Sequence, residues 1–108
     1  MLELWQTEWC PASHRVRQRL TELEVDYVIR QVPVEKSERR ALRHATGSDV
    51  IPALCDCEAV LVGEDDIERW LDAHVAQSTH AEAHRLKAEK AHRRHLEEEC
   101  ECSEPATP

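Results

Sequence analysis

The apolar positions near the start of the chain change from the spacing of a strand to the spacing of a helix. The run Leu-Glu-Leu-Trp-Gln at residues 2–6 predicts a short strand. Val16, Leu20 and Leu23 then recur every three or four residues, with polar residues between them, and predict an amphipathic helix of about three turns. A strand followed at once by a helix favours an α/β fold.

The next segment repeats this order with weaker signals. Residues 27–34 are rich in Val, Ile and Tyr and predict a second strand that ends near Pro33. Residues 38–45 predict a short helix, and Gly47 fits the glycine that commonly follows a helix C-terminus. The expected apolar face of this helix consists of Ala41, Leu42 and Ala45.

A hairpin and a strongly periodic helix complete the pattern. Ile51-Pro52-Ala53-Leu54 leads into a third strand, residues 56–58 predict a tight turn, and residues 59–62 predict the partner strand. Gly63-Glu64-Asp65-Asp66 then caps a last helix with the clearest helical period in the chain. The inward positions of this helix are Ile67, Trp70, Leu71, His74 and Val75.

The order βαβαββα predicts a mixed four-stranded sheet with helices on both faces. Strands joined by a helix lie parallel, whereas the hairpin is antiparallel. We expect this domain to occupy residues 1–76. Residues 77–108 are rich in Ala, Glu, Lys, Arg and His, and they predict a solvated helical tail through about Glu98 with a disordered end over residues 103–108.

Length and charge restrict the function further. At 108 residues the chain is one domain at most, and its net charge of −8 argues against non-specific binding to nucleic acid or an anionic membrane, since both need a cationic surface. No stretch approaches the roughly 20 apolar residues of a membrane-spanning helix. Met1-Leu2-Glu3 lacks the basic start of a secretory signal. We therefore expect a cytoplasmic protein whose partners are small molecules or proteins.

Cys10-Pro11-Ala12-Ser13 carries the candidate chemistry. Cys10 falls between the first strand and the first helix, and Pro11 takes the place of the first helical residue. A cysteine at a helix N-terminus faces unpaired N–H groups and the positive end of the helix dipole, which favour thiolate over thiol. Cys10 is therefore the predicted catalytic residue, with Pro11 and Ser13 in support. The alternative is that Cys10 is a small residue packed under the helix.

Four further cysteines lie outside this motif. Cys55 and Cys57 flank the predicted turn, and small buried residues are the default interpretation of both. Cys100 and Cys102 fall in the tail. Each of the four is an alternative thiol for resolving a disulfide on Cys10.

Two histidine pairs in the tail have the spacing of metal ligands. His80 and His84 are four residues apart, and His92 and His95 are three apart, so each pair shares a helical face where two imidazoles can bind one ion. We favour a solvated polar helix and assign no metal site. Dimerisation through the tail is a further possibility.

Three separated segments together resemble the glutaredoxin family and the N-terminal domain of glutathione S-transferases. These are Trp9-Cys10-Pro11-Ala12-Ser13, the Ile51-Pro52 pair, and Gly63-Glu64-Asp65-Asp66. The resemblance covers roughly residues 1–76 and implies a thioredoxin-like fold.

The resemblance also implies a site for a small thiol. In the family the proline before the third strand is cis, and the backbone of the preceding residue pairs with glutathione, so Ile51 and Pro52 take those roles here. Asp65 matches the acidic residue that receives the γ-glutamyl amine, and free N–H groups at the start of that helix can hold a carboxylate. The implied small-thiol site comprises Trp9, Ile51, Pro52, Glu64 and Asp65.

The sequence departs from the family pattern at positions that matter for the chemistry. Ser13 stands where a dithiol enzyme has its resolving cysteine, so a redox cycle must be monothiol. Thr7 stands where many glutaredoxins carry a lysine, which leaves activation to the helix dipole and to His14 or Arg15. The family's double glycine is reduced to Val62-Gly63. Trp9-Cys10 with a threonine upstream looks like the mycoredoxins, which use a different small thiol.

The function implied is monothiol thiol–disulfide exchange through Cys10. The co-substrate is glutathione or a mycothiol-like small thiol, and the other partner is a protein disulfide. One alternative is a glutathione S-transferase-like thiol transferase. A non-enzymatic alternative is an adaptor or metal-binding module, in which two chains share an iron–sulfur cluster through Cys10, as monothiol glutaredoxins do.

Overall fold

A computed structural model describes residues 1–103 of the chain, with the backbone alone for His95 and residues 97–103. The strands are β1 (Leu2–Gln6), β2 (Tyr27–Gln31), β3 (Ala53–Cys55) and β4 (Val60–Val62). The helices are α1 (Pro11–Glu22), α2 (Arg40–Thr46), α3 (Glu64–His74) and α4 (Ala81–Ser103). A short 3-10 turn, Lys36–Glu38, precedes α2.

The four strands form one mixed sheet in the order β2-β1-β3-β4. β1 is parallel to β2 and antiparallel to β3, and β3 is antiparallel to β4. The predicted thioredoxin-like βαβαββα topology, with a mixed sheet and helices on both faces, is thereby confirmed.

Alternation along the strands sends neighbouring side chains to opposite faces of the sheet. Leu4 and its partner Leu54 belong to the larger core, which α1 and α3 cover. The buried members of that core are Leu4, Val16, Leu20, Leu23, Leu54, Ile67 and Leu71. On the opposite face, Ala53 packs with Val32 and Leu42 of the α2 side, and Trp5 lies against this smaller cluster.

Two predicted elements differ from the structure in length. β2 ends at Gln31, so the prediction of a strand to Val34 was too long, because Pro33 has no N–H to continue a sheet ladder. Residues 36–38 form the 3-10 turn, and α2 begins only at Arg40, not at residue 38. Gly47 ends α2 in the left-handed conformation at φ +80°, as predicted.

The predicted apolar faces of α2 and α3 also differ from those in the structure. Ala41 and Ala45 are exposed, so the apolar face of α2 reduces to Leu42. In α3, Ile67 and Leu71 are fully buried, but His74 is exposed and stacks on Trp70 with ring centroids 4.7 Å apart. Gly63 occupies the N-cap position of α3, within the segment predicted to cap this helix, and no side chain contributes a cap hydrogen bond.

Arg39 forms a clamp that the sequence pattern does not reveal. Its side chain is 5% exposed, and its guanidinium donates to three main-chain oxygens: Pro33 O at 2.9 Å, Val34 O at 3.1 Å and Asp49 O at 2.9 Å. The clamp joins the segment that leaves β2 to the segment that leads into β3.

The tail helix α4 docks on the C-terminal end of α1. Ala81 is fully buried, and Arg85 Nε donates to Glu22 Oε1 at 2.9 Å. Glu24, which follows α1 with a φ of +56°, has its Oε1 2.9 Å from His80 Nδ1 and 3.4 Å from His84 Nε2. The expectation of a purely solvated tail therefore needs correction at its first two turns.

The end of the tail extends further than predicted. α4 continues through Ser103, beyond the predicted end near Glu98. Residues 104–108, which belong to the segment predicted to be disordered, lie outside the described residues. The side chains of His95, Cys100 and Cys102 are also outside the described part of the structure. A metal-binding pair that includes His95 and a resolving role for Cys100 or Cys102 therefore stay predictions.

Candidate active site

Cys10 is the N-cap residue of α1. Its backbone is extended, with φ −82° and ψ 118°, and Pro11 follows as the first helical residue. The Ser13 N–H donates to Cys10 Sγ at 3.5 Å, so the sulfur takes the place of the oxygen that normally caps a helix. No acidic residue occupies the first turn of α1. The sulfur therefore faces the positive end of an unopposed helix dipole.

These surroundings favour the thiolate of Cys10. Partial burial raises the pKa of the thiol, but Ser13, the Ala12 N–H and the charge of Arg15 lower it by more, so the pKa lies below its ordinary value. The lowered pKa of Cys10 has the direction expected for a cysteine at a helix N-terminus. Cys10 is also only partly buried, which leaves the sulfur accessible to a reactant.

Two buried hydroxyls flank the cysteine. Ser13 is fully buried and Thr7 is 4% exposed, and neither hydroxyl has a partner at ordinary hydrogen-bond geometry within residues 1–103. Ser13 is the residue next to the sulfur, so its hydroxyl is free to turn toward it. Thr7 contributes its carbonyl, which accepts from Cys10 N–H at 3.4 Å.

The Ile51–Pro52 segment lies at the same end of the sheet as Cys10. β3 begins at Ala53, which pairs with Trp5 near the end of β1, so the residues before β3 lie beside those after β1. The Ile51–Pro52 peptide bond is cis, and Pro52 is buried. Among the described residues, no backbone–backbone hydrogen bond outside the regular elements uses the N–H or C=O of Ile51.

The start of α3 is fixed to this segment by a hydrogen bond. The Gly63 N–H donates to Pro52 O at 2.9 Å. Gly63 has a φ of +92°, where a residue with a side chain would be strained. Val62 belongs to β4, so one glycine is enough to make this turn.

At the acidic start of α3, one carboxylate is bound by an arginine and the next is exposed to solvent. Arg15 binds Glu64 through two hydrogen bonds, Nε to Oε2 at 2.6 Å and Nη2 to Oε1 at 2.8 Å. Asp65 is exposed. Trp9, beside Cys10, is 61% exposed and does not pack into the core, so its side chain is open to a ligand or partner.

Cys55 and Cys57 lie at the far end of the sheet from Cys10. Cys55 pairs with Glu3, which lies three residues, or roughly 10 Å, before the end of β1 at Gln6. A disulfide needs Cα atoms about 4.4–6.8 Å apart, so this arrangement excludes Cys55 as a direct resolving thiol. Cys57 is in the turn beyond it and is exposed, which corrects the expectation that it is buried.

A groove between α1 and α4 adds a feature beside the cysteine. It has a volume of about 650 Å³, and its lining includes His14 and Gln18 of α1 and Ala88 and His92 of α4. His14 is one helical turn from Cys10, and its N–H donates to Cys10 O at 3.0 Å. The sequence did not predict this groove because α4 carries no apolar stripe that signals docking.

The histidine pair at the start of α4 is engaged by protein groups. His80 and His84 both contact Glu24, as described above. Among the residues that the structure describes, no group of three His, Cys, Asp or Glu side chains is arranged to hold a metal ion. No helix in this part of the chain is both long and apolar enough to cross a membrane.

The family model for glutaredoxin matches residues 2–56, just over half of the chain. The chain belongs to the glutaredoxin family. The matched region includes Cys10 and the Ile51–Pro52 segment, whereas the start of α3 with Glu64 and Asp65 lies beyond it. No curated protein matches the chain significantly.

Solved structures of glutathione S-transferases share the fold of this glutaredoxin-family chain. One from Rhodospirillum rubrum F11 is 21% identical over 69% of this chain and 34% of its own, with a TM-score of 0.60. A delta-class enzyme from Nilaparvata lugens is 16% identical over 72% and 38%, with a TM-score of 0.63. A trimeric glutathione transferase from Leishmania, TDR1, is 22% identical over 72% and 18%, with a TM-score of 0.62.

These similarities establish the fold alone, because the identities are low. The chain spans at most about 38% of the length of these three structures.

Proposed function

We propose that this chain is a monothiol thiol–disulfide oxidoreductase that acts through Cys10. One observation carries the proposal: a partly buried cysteine caps α1 with its pKa lowered, while Ser13 occupies the position of a resolving cysteine. Membership of the glutaredoxin family supports the same chemistry.

The proposed reaction has two exchange steps. The Cys10 thiolate attacks a mixed disulfide between a protein and a small thiol at the small-thiol sulfur, which forms a Cys10–small-thiol disulfide and releases the protein thiolate. A second small-thiol thiolate then attacks the small-thiol sulfur of that adduct, which releases the oxidised small-thiol disulfide and regenerates the Cys10 thiolate. Each cycle consumes one free small thiol, which leaves as a disulfide with the small-thiol unit first carried by the protein, and no internal disulfide is required.

The small thiol is proposed to lie between Cys10 and the start of α3. The N–H and C=O of Ile51 are available to pair with its peptide backbone, with Pro52 holding their position. Asp65 is open to receive an ammonium group, and Trp9 exposes a ring beside the sulfur. Glutathione is the first candidate, and a mycothiol-like thiol is the second.

The test measures reduction of a protein mixed disulfide carrying glutathione, and separately one carrying mycothiol, with the matching free thiol present. The native chain is expected to turn over one of them, and Cys10→Ser is expected to lose turnover because, among the described N-cap residues, Cys10 is the one cysteine. Cys57→Ser removes an exposed thiol outside the site and serves as the control, with native turnover expected. Equal turnover by the native chain and Cys10→Ser would contradict the proposal.

A second candidate, transfer of the small thiol to an apolar electrophile, is supported by the groove between α1 and α4. His14, which lines the groove, is one turn from Cys10 along α1, and we propose that the groove holds the electrophile. Ala88→Trp fills the groove and is expected to abolish conjugation of an activated chloroarene, while mixed-disulfide turnover persists. Ala83→Trp, at an exposed position of α4, is the matched control. Native chloroarene conjugation by Ala88→Trp would exclude the groove as the electrophile site.

A further inference from the structure

We propose that β2 is a surface through which two copies of this chain associate, by antiparallel pairing of their β2 strands about Val28. β2 is an outer strand of the sheet, in the order β2-β1-β3-β4. The inference goes beyond the proposed function and does not depend on it, because the Ile51–Pro52 segment leads into β3, on the other side of β1 from β2.

The outer edge of β2 offers backbone groups to a further strand. The Val32 N–H donates to Gln6 O at 3.1 Å, so Val32 faces β1. Backbone polar groups alternate in direction along a strand, so those of Tyr27, Ile29 and Gln31 face away from the sheet. β2 pairs with β1 in continuous register, without a bulge, and contains no proline or lysine. Bulges, prolines and lysines are the features that commonly protect an outer strand from pairing with another chain.

Exposed side chains on β2 include both apolar and charged groups. Val28 is 39% exposed and Ile29 is 40% exposed. Arg30 binds Glu3 Oε2 through Nε at 2.9 Å and Nη2 at 2.6 Å, which leaves Nη1 to bind a second carboxylate. Asp26, immediately before β2, is exposed and belongs to none of the ion pairs among the described residues.

Charge complementarity favours a second copy of this chain as the occupant of the edge. When two β2 strands pair antiparallel about Val28, Asp26 lies opposite the partner's Arg30, once on each side of the axis. Val28 lies opposite the partner's Val28. Tyr27 lies opposite the partner's Ile29, and their outward backbone groups exchange two hydrogen bonds. Each of these pairs is therefore either apolar or oppositely charged.

Other registers, and the other outer strand, fit a second copy less well. Pairing about Ile29 sets Val28 opposite the partner's Arg30, and pairing about Arg30 sets two arginines opposite each other. β4, the other outer strand, has three residues, and Glu58 and Glu64 flank it. Self-pairing about the centre of β4 would bring these carboxylates together. The edge of β2 is therefore the one suited to a second copy.

The experiment measures sedimentation velocity of the full chain from micromolar to millimolar concentration, with a phosphine reductant present to prevent disulfide-linked dimers. A weak, concentration-dependent dimer is expected, because a five-residue strand pair buries a small interface. Asp26→Arg and Arg30→Glu are each expected to weaken association about tenfold, since each sets like charges opposite each other. An equimolar mixture of the two variants is expected to associate like the native chain, because their heterodimer restores opposite charges on both sides of the axis.

Two proline variants compare the outer strands directly. Ile29→Pro removes an outward N–H of β2 while leaving its bonds to β1, and it is expected to abolish association. Val60→Pro is the matched control on β4. Gly63 donates to Pro52 O, so Gly63 and, by alternation, Leu61 face β3, and the N–H of Val60 faces outward. Native association is expected for Val60→Pro.

Three results would each overturn the proposal: a native chain that stays monomeric throughout, equal effects of the two proline variants, or a mixture that associates no more than its components. Leu86→Glu tests α4 as the interface instead, because Leu86 is 56% exposed. Loss of association in Leu86→Glu, with native association in Ile29→Pro, would also overturn it. Circular dichroism checks that each variant folds, and if Ile29→Pro does not, the charge variants decide the outcome.

Discussion

At the scale of single residues, Ser13 combines an energetic cost with a chemical use. A buried hydroxyl without a partner lowers stability by about 1–3 kcal/mol relative to a satisfied one. The Ser13 hydroxyl is fully buried and has no partner at ordinary hydrogen-bond geometry, and its weak interaction with the Cys10 sulfur helps to lower the pKa of that thiol. A hydroxyl that serves the thiolate rather than the folded state explains both observations.

Ser13→Ala is therefore expected to change stability and reactivity in opposite directions. The free energy of unfolding should stay level or rise by up to about 1 kcal/mol, because a buried unpaired hydroxyl is removed. The midpoint of Cys10 alkylation should move to higher pH, because the thiolate loses support. Thr7→Val removes the other buried unpaired hydroxyl and should change stability similarly, with a native alkylation profile. A native profile for Ser13→Ala would show that its hydroxyl does not act on the sulfur.

The sequence reveals Cys10 more readily than the residues that surround it. A cysteine between a strand and a helix, followed by proline, is a local pattern, and the structure places it as the N-cap. The pairing of Arg15 with Glu64 joins residues 49 positions apart, so no local spacing signals it. The placement of Ile51 beside the end of β1 likewise depends on strand register rather than on neighbouring residues.

At the scale of elements, Arg39 decides where the segments around α2 lie. Three main-chain oxygens accept from one buried guanidinium, and two of them belong to the segment after β2 while the third belongs to the segment before β3. Both segments lack strand partners at these points. The arginine supplies the donors that a sheet would otherwise supply.

Arg39→Gln is expected to lower the free energy of unfolding by about 2–4 kcal/mol, since three hydrogen bonds from a buried, charged donor are lost. Urea unfolding measures the change. The adjacent Arg40→Gln alters an exposed arginine and should stay within about 0.5 kcal/mol of the native chain. Equal stability of the two variants would contradict the role of Arg39 as a clamp.

Elements with a strong period were predictable, and those held by tertiary contacts were not. The core positions Val16, Leu20 and Leu71 follow from helical spacing and are fully buried. α2 has only Leu42 facing the core, so its start depended on the clamp and the preceding turn, which the pattern does not contain. The docking of α4 also escaped prediction, because it depends on Ala81 and on polar contacts rather than on large apolar residues.

At the scale of the whole molecule, acid is expected to loosen the start of α4 before the domain unfolds. Contacts with His80 and Ser78 lower the pKa of Glu24. Because this pKa is lower in the docked form, the contact stabilises docking above the ordinary glutamate value and is lost as the pH falls through the lowered one. Protection factors from hydrogen exchange should therefore decrease at the start of α4 as the pH falls below the ordinary glutamate range, while those of β1 persist.

Glu24→Gln is the control for this release. It should show weaker α4 protection at pH 7 and a smaller decrease on acidification, because the titrating group is absent. Glu22 and Arg85 form the neighbouring contact and remain in this variant. Simultaneous loss of protection in α4 and β1 would mean that docking and folding are one transition.

The two hydrophobic clusters draw every member from residues 2–75, so the proposed domain 1–76 should fold without the tail. Truncation after residue 76 removes the partner of Glu22, which is 6% exposed, and should cost about 1–2 kcal/mol in urea unfolding. Arg85→Gln in the full chain should reproduce much of this loss.

The truncation also separates the candidate activities: exchange through Cys10 should survive, whereas transfer that needs the groove should be lost. An unfolded 1–76 fragment would instead make α4 part of the domain.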